Sequence, residues 1–253
     1  MNLEGKAALV TGSAVGVGRA VVLDLARRGC NVVVNYSRSR QEAEQTAAEA
    51  ERLGVRALCL QADVRRDDQV RRMAQEAVKA FGGLDVLVNN AGVTRFIPHA
   101  DLEAVSDEDW DYIFDTNVRG TFYATRAALP ALREGTGGAI VNLSSVAGVY
   151  SIGSSVPYCA SKAAIGSMTV ALARALAPKV RVNAVAPGFV DTRWWQEHPN
   201  YEAAKQAAEA ATPLGRVCTA ADVSKVVLDL ITSEMITGQV VVVDGGMGIA
   251  RGL

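Results

Sequence analysis

The chain has 253 residues, of which 49% are hydrophobic and 21% charged, enough apolar material for one large core, and no Pro/Gly/Ser-rich linker divides it. One domain over residues 1–253 is the expectation. A formal net charge of −1 provides no general attraction to nucleic acid or to anionic lipid, so neither partner is expected. Cys30, Cys59, Cys159 and Cys218 lack metal-ligand spacing and read as reduced, buried side chains, the start Met1 to Lys6 is unlike a leader, and no segment has membrane-span length. A metal-free, soluble, cytoplasmic protein is expected.

The first apolar, β-rich run is Ala7–Thr11, and it leads into the glycine loop Thr11-Gly12-Ser13-Ala14-Val15-Gly16-Val17-Gly18, with a helix expected to begin near Arg19. Lacking Cβ atoms, Gly12, Gly16 and Gly18 allow backbone to approach a pyrophosphate, while the helix start supplies unpaired N–H groups and a positive dipole end. A tight turn between strand and helix is the structural alternative. No Lys-Ser/Thr pair follows, so the loop is not of the type used for phosphate transfer. Gly29 stops the helix before a second strand, Asn31–Asn35, which runs into Asn35-Tyr36-Ser37-Arg38. Ser39-x-x-Glu42 reads as a capping box for the next helix and Gly54 as its stop.

A third strand, Val55–Gln61, precedes Asp63-Val64, and a fourth, Asp85–Asn89, precedes Asn90-Ala91-Gly92. Ser106-x-x-Asp109 opens a further helix on which Asn117 reads as a solvent-facing amide. The fifth strand, Ala139–Ser144, delivers Ser145, and Pro157 is placed at the first position of a helix carrying Tyr158 and Lys162. Four residues apart, these two lie one turn apart on the same face, and an ammonium beside a phenol draws its pKa down from about 10 toward neutral pH. A surface Tyr/Lys pair is the bland alternative. The sixth strand, Val180–Ala186, ends in Pro187-Gly188-Phe189-Val190-Asp191-Thr192; Thr219-x-x-Asp222 caps a helix, and the seventh strand is Gln239–Asp244. Seven buried strands alternating with helices predict a doubly wound α/β Rossmann fold, a seven-stranded parallel sheet with helices on both faces and ligands at the strands' carboxyl ends.

Thr-Gly-x-x-x-Gly-x-Gly, Asn89-Asn90-Ala91-Gly92, Asn117, Ser145, Tyr158-x-x-x-Lys162 and Pro187-Gly188, in this order and over essentially the whole chain, resemble the classical short-chain dehydrogenase/reductase family, with most likeness to its 3-oxoacyl-(acyl carrier protein) reductase branch. The resemblance implies an NAD(P)H-dependent carbonyl reductase or alcohol dehydrogenase that takes a 3-oxoacyl thioester to the 3-hydroxyacyl product. Oxidation of a sugar, polyol or other secondary alcohol is the enzymatic alternative, and a silent dinucleotide sensor the non-enzymatic one. It further implies that Ser145 hydrogen-bonds the substrate carbonyl, that Tyr158 moves the hydroxyl proton, that Lys162 lowers the Tyr158 pKa and binds the nicotinamide ribose, and that Asn117 holds a relay water.

The implied cofactor contacts are Gly12, Ser13, Val15, Gly16, Val17 and Gly18; Asn35, Tyr36, Ser37 and Arg38; Asp63 and Val64; Asn90, Ala91 and Gly92; Tyr158 and Lys162; and Pro187, Gly188, Val190 and Thr192. Asp63 reads alternatively as a helix cap and Asn89-Asn90 as a turn tying strands. NAD-preferring relatives place an Asp at the end of the second strand, and Asn35 to Arg38 contain no carboxylate to repel a 2′-phosphate, which favours NADP(H) with NAD(H) second. Val15, where many NADP-preferring relatives are basic, argues the other way. Residues 193–213 match the family's variable substrate lid, in which Trp194, Trp195 and Tyr201 either face substrate or pack the lid. Arg133, Arg174 and Lys179 are candidates for docking an acidic carrier protein. A homotetramer is implied, with helix-to-helix interfaces and a contribution from Val242 to Gly246. His99 and His198 read as surface histidines, so a Ser nucleophile is not expected.

Overall fold

In a computed structural model, residues 1–196 and 200–249 are described; His198 therefore lies outside the described residues, as does part of the expected lid. Seven strands, β1 (Ala7–Val10), β2 (Asn31–Tyr36), β3 (Ala57–Gln61), β4 (Val86–Asn89), β5 (Gly138–Leu143), β6 (Val180–Pro187) and β7 (Val240–Val243), form one sheet in the order β3-β2-β1-β4-β5-β6-β7. Every pairing is parallel, as expected of strands written as continuous apolar runs. Burial follows position: β1, β4 and β5 are buried at every residue, whereas the edge strand β7 is half-buried throughout.

Helices cover both faces. On one, α1 (Gly16–Arg27), α2 (Arg40–Arg52) and α10 (Ala220–Thr232) pack Val21, Leu25, Ala47, Val223 and Ile231 against Val10, Val32 and Val141. On the other, α3 (Asp67–Phe81), α5 (Gly120–Leu132) and α7 (Val156–Leu176) pack Val70, Met73, Ala128, Leu132 and Leu176 against Leu9, Leu87 and Ile140. Between the two crossover halves, β1 and β4 lie side by side while their connections leave in opposite directions. That reversal opens a crevice at the strands' carboxyl ends.

Local chemistry places the remaining elements, with several departures from expectation. Ser106 caps α4 (Asp107–Phe114) and Thr219 caps α10, both through complete capping boxes. Ser39 makes no side-chain cap to α2; its hydroxyl instead accepts from Arg193, whose guanidinium also holds Glu42. The helix expected near Arg19 begins at Gly16, because Gly12 and Gly16, both at φ 60°, fold the loop directly into the first turn. Pro157 occupies the second position of α7, after Val156, and Ser155 is the cap. The remaining described α-helices are the short α6 (Val146–Tyr150) and α8 (Arg193–Gln196) and the longer α9 (Tyr201–Ala211), and the start of α8 borders the crevice.

Candidate active site

A cleft of about 490 Å³ occupies the crevice, lined by the glycine loop, the end of β2, Asp63 to Arg65, Asn90 to Val93, Ser145, Tyr158, Lys162, Pro187, Gly188, Val190 and the start of α8. Gly12 turns beneath it so closely that a Cβ there would lie 2.8 Å from the Ala91 Cα. Gly16 has a different surrounding. A Cβ at this position would project into the cleft, meeting only Thr192 at 3.7 Å, and the preceding Val15 offers α1 no side-chain acceptor. The first-turn N–H groups thus face a space that a side chain would fill, the arrangement that receives a phosphate.

Not every expected contact residue reaches that space. Ser13 is fully buried, donating to the Val10 carbonyl at 2.7 Å and accepting from the Asn35 N–H at 3.0 Å. The Asn35 side chain accepts from the Gly12 N–H and donates to the Ala62 carbonyl at 3.1 Å, so it braces the glycine loop against β2 and β3. Gly18 sits behind the wall, where a Cβ would come within 2.5 Å of Asn90 Nδ2. Asn90 itself donates to the Thr11 and Gly12 carbonyls, while Asn89 donates to Asn142 at 2.8 Å and Thr125 at 3.1 Å. Asn90 is therefore both a tie between strands and part of the cleft lining.

At the end of β2, Ser37 and the exposed Arg38 line the cleft. Arg38 makes no ion pair among the described residues, whereas Arg40 is held by Glu44 at 2.7 Å. Asp63 also lines the cleft and grips Arg65 through two guanidinium nitrogens at 2.6 to 3.0 Å. Those bonds, with a smaller contribution from the Arg38 charge, hold its carboxyl below the usual range. Its Oδ1 accepts from the Arg65 N–H, and the residue at the cap of α3 is Arg66, so Asp63 is not that helix's cap.

The four polar residues expected to do chemistry come from three places: the cap of α6, the helix α7, which carries two of them, and a π-turn before α5. Ser145 caps α6, accepting from the Ala147 N–H at 3.1 Å. Adjacent Ser144 donates to the Lys162 carbonyl at 2.9 Å and is only 5% exposed, so its hydroxyl is committed to α7. Tyr158 and Lys162 lie one turn apart on α7, with Lys162 Nζ 5.7 Å from the centre of the Tyr158 ring. Nζ donates to the Leu143 carbonyl at 2.8 Å. Asn117 is fully buried rather than solvent-facing. It occupies a π-helical turn, Asp115–Arg119, between α4 and α5, accepts from the Val93 N–H at 2.8 Å and donates to the Val93 carbonyl and to Ser161 Oγ, both at 3.0 Å. Ser161 in turn donates to the Tyr158 carbonyl. Asn117 thus fixes the helix that carries Tyr158 against the loop after β4. A π-turn leaves no signature in side-chain pattern, so this placement could not be read from the sequence.

Burial sets the protonation of the pair. It lowers Lys162 to about 8, and it pushes Tyr158 up to about 12 against the pull of a hydrogen bond with Ser145. The phenol moves opposite to the direction expected from a neighbouring ammonium, because desolvation of the phenolate outweighs the opposing pull of Ser145. A neutral phenol beside a serine side chain in a cleft is a proton donor available to an oxygen bound there. Thr116, Tyr112, Arg65 and Arg193 also line the cleft although no sequence motif singles them out. His99 approaches Cys159 Sγ at 3.8 Å and lies in no triad with Ser145, and no cluster suited to a metal ion exists among the described residues.

A family model described as enoyl-(acyl carrier protein) reductase matches residues 12–248. A Streptomyces violaceoruber protein named for ketoacyl reduction in the granaticin polyketide synthase is 45% identical over 243 residues, 96% of each chain. The chain belongs to the short-chain dehydrogenase/reductase family. A 3-oxoacyl-[acyl-carrier-protein] reductase of Thermotoga maritima is 38% identical over 252 residues, 98% of this chain and 100% of that one. Among solved structures, a short-chain dehydrogenase of Burkholderia cenocepacia in complex with NADP superimposes with a TM-score of 0.90 at 36% identity, covering 98% of this chain and 99% of that one. The parallel sheet and the order of its strands are those of a short-chain dehydrogenase/reductase, and no helix among the described residues is long and apolar enough to cross a membrane.

Proposed function

We propose that the protein is an NADPH-dependent ketoreductase that converts a 3-oxoacyl thioester to its 3-hydroxyacyl product. The observation that carries this reading is that the Ser145 and Tyr158 side chains line the same cleft, with the Lys162 ammonium 5.7 Å from the centre of the Tyr158 ring. Two converging hydroxyls suit a carbonyl oxygen, which accepts two hydrogen bonds and gains negative charge as the carbon is reduced. The chemistry of the family model's description, reduction at an enoyl carbon, places no such demand on Ser145. Ser145 holds the carbonyl oxygen, Tyr158 passes its proton to that oxygen, and Lys162 keeps positive charge beside the phenol. Asn117 positions α7 through Ser161.

Bound NADPH supplies the hydride. The first turn of α1 and Gly16 would hold its pyrophosphate, Asp63 and Val64 the adenine, Lys162 the nicotinamide ribose, and Thr192 and Val190 the carboxamide end. Ser37 and Arg38, which makes no ion pair among the described residues, fit a 2′-phosphate, which argues for NADPH over NADH. The NADP-bound relative and the 3-oxoacyl reductase relative support the same choice. Residues 1–253 act as one catalytic domain, with 193–213 as substrate lid. Arg133, Arg174 and Lys179, all exposed, sit where α5 and α7 run into the amino ends of β5 and β6, away from the cleft at the strands' carboxyl ends, so carrier docking is not assigned to them. The active species is a cytoplasmic homotetramer.

The test is a panel of turnover assays with NADPH and NADH against an acetoacetyl thioester, simple ketones and quinones, and with the oxidised cofactors against glucose and polyols. Reduction of the thioester, faster with NADPH than with NADH, is expected. Preference for a polyol would replace the thioester by an alcohol, and no turnover of any compound would leave a dinucleotide sensor.

A further inference from the structure

The two tryptophans at the start of α8 have different surroundings, and the difference bears on the substrate. Trp195 is committed to packing: its ring stacks on Phe189 at 4.6 Å between centroids and 16° between planes, and Phe96 meets it at 5.1 Å and 58°. This sandwich clamps α8 to the chain leaving β6 and to the loop after β4. Both tryptophans border the cleft, but Trp194 is the more exposed of the two. Its ring lies 6.1 Å from the Tyr158 ring, and it remains 38% exposed, a large apolar surface beside the proton donor.

Resting on the ketoreductase reading, we propose that Trp194 determines specificity for a substrate whose ketone lies in or beside a planar, conjugated ring, in preference to a linear saturated acyl chain. A flat ring can stack on the exposed indole while its ketone oxygen reaches Ser145 and Tyr158. Aromatic pairing adds to simple burial of apolar area, and a rigid ring loses little conformational freedom on binding. A flexible saturated chain gains neither advantage from an indole face. The reaction is a two-electron reduction: NADPH gives hydride to the ketone carbon and leaves as NADP⁺, the C=O π bond opens, and the oxygen takes the Tyr158 proton.

The decisive comparison is 2-tetralone against 2-decalone, which share a carbon skeleton but differ in the aromatic ring. Both are assayed with NADPH for the wild type, Trp194→Leu and Trp194→Phe, alongside the 3-oxooctanoyl thioester of N-acetylcysteamine. Expected is a wild-type kcat/KM ratio favouring 2-tetralone by roughly fivefold or more, carried by KM, which collapses toward unity in Trp194→Leu and is largely restored in Trp194→Phe. A separate binding measurement by calorimetry should show 2-naphthol binding about fivefold weaker to Trp194→Leu than to the wild type. Equal losses on both ketones, with unchanged 2-naphthol affinity, would make Trp194 structural and overturn the inference. Reduction of the linear thioester without reduction of 2-tetralone would overturn it while leaving the ketoreductase reading intact. No reduction of any of the three would remove that reading and the inference together.

Discussion

Lys162 and Tyr158 show how burial and function pull on the same side chains. A lysine lowered to about 8 by burial is favoured as the neutral amine in the folded chain, so between about pH 8 and 10.5 the folded state binds fewer protons than the unfolded one. Stability attributable to Lys162 therefore rises with pH across that window, and below pH 8 the buried ammonium is a cost. Comparison of urea unfolding at pH 7.5 and pH 9 for the wild type and Lys162→Met isolates this contribution, since Tyr158 and Cys30 are common to both. The wild type should gain on the variant by about 1 kcal/mol, at about 1.4 kcal/mol per pH unit of differential protonation; an unchanged gap would mean that the amine is solvated. Tyr158→Phe removes the proton donor and leaves the apolar ring. It should lower kcat by about 10²-fold or more with the NADPH dissociation constant nearly unchanged, and a retained rate would take Tyr158 out of proton transfer. Arg38→Ala should weaken NADPH about tenfold, the scale of a lost charge-assisted bond, and NADH far less. Fluorescence titration with both cofactors checks this, and equal losses would contradict the assignment of Arg38 to the 2′-phosphate.

The strands were legible because a strand buried on both faces must be apolar at every position, and the observed ends of β1 and β4 fall within a residue of those read from the sequence. Helix starts were less so, since a cap depends on partners distant in sequence. Ser39-x-x-Glu42 has the same pattern as Thr219-x-x-Asp222, yet Arg193, far along the chain, takes both side chains of the former, while the latter closes on itself. Asn117 was legible only through family resemblance, because its burial depends on the π-turn. The start of α1 carries a prediction at this scale. Gly16 combines φ 60° with a Cβ direction into the cleft, so Gly16→Ala adds backbone strain of about 1 kcal/mol and fills the phosphate space. Calorimetric titration should show NADPH and NADH weakened alike, with Tm slightly reduced. A change in Tm without loss of cofactor affinity would make Gly16 a turn residue only.

Across the whole molecule, the sheet and its two helical layers account for the buried apolar residues but leave some large ones at the surface. On α5, Phe122 is 42% exposed, and on α4 Trp110 is 38% exposed. Arg126 lies over the Phe122 ring at 5.3 Å, so this face is a cation-capped apolar surface of the kind that survives in a monomer but gains from being covered. A homotetramer built on helix-to-helix contacts would cover it with the same face of another copy, since a two-fold interface meets itself. Light scattering on the purified protein should then give about four times the 26.6 kDa of one chain. Phe122→Glu places like charges opposite each other across that axis and should yield a smaller species, while the half-exposed position spares the fold, as circular dichroism would show. A tetramer unmoved by this change would shift the interface away from α5, and a wild-type monomer would end the proposal that copies assemble through this face.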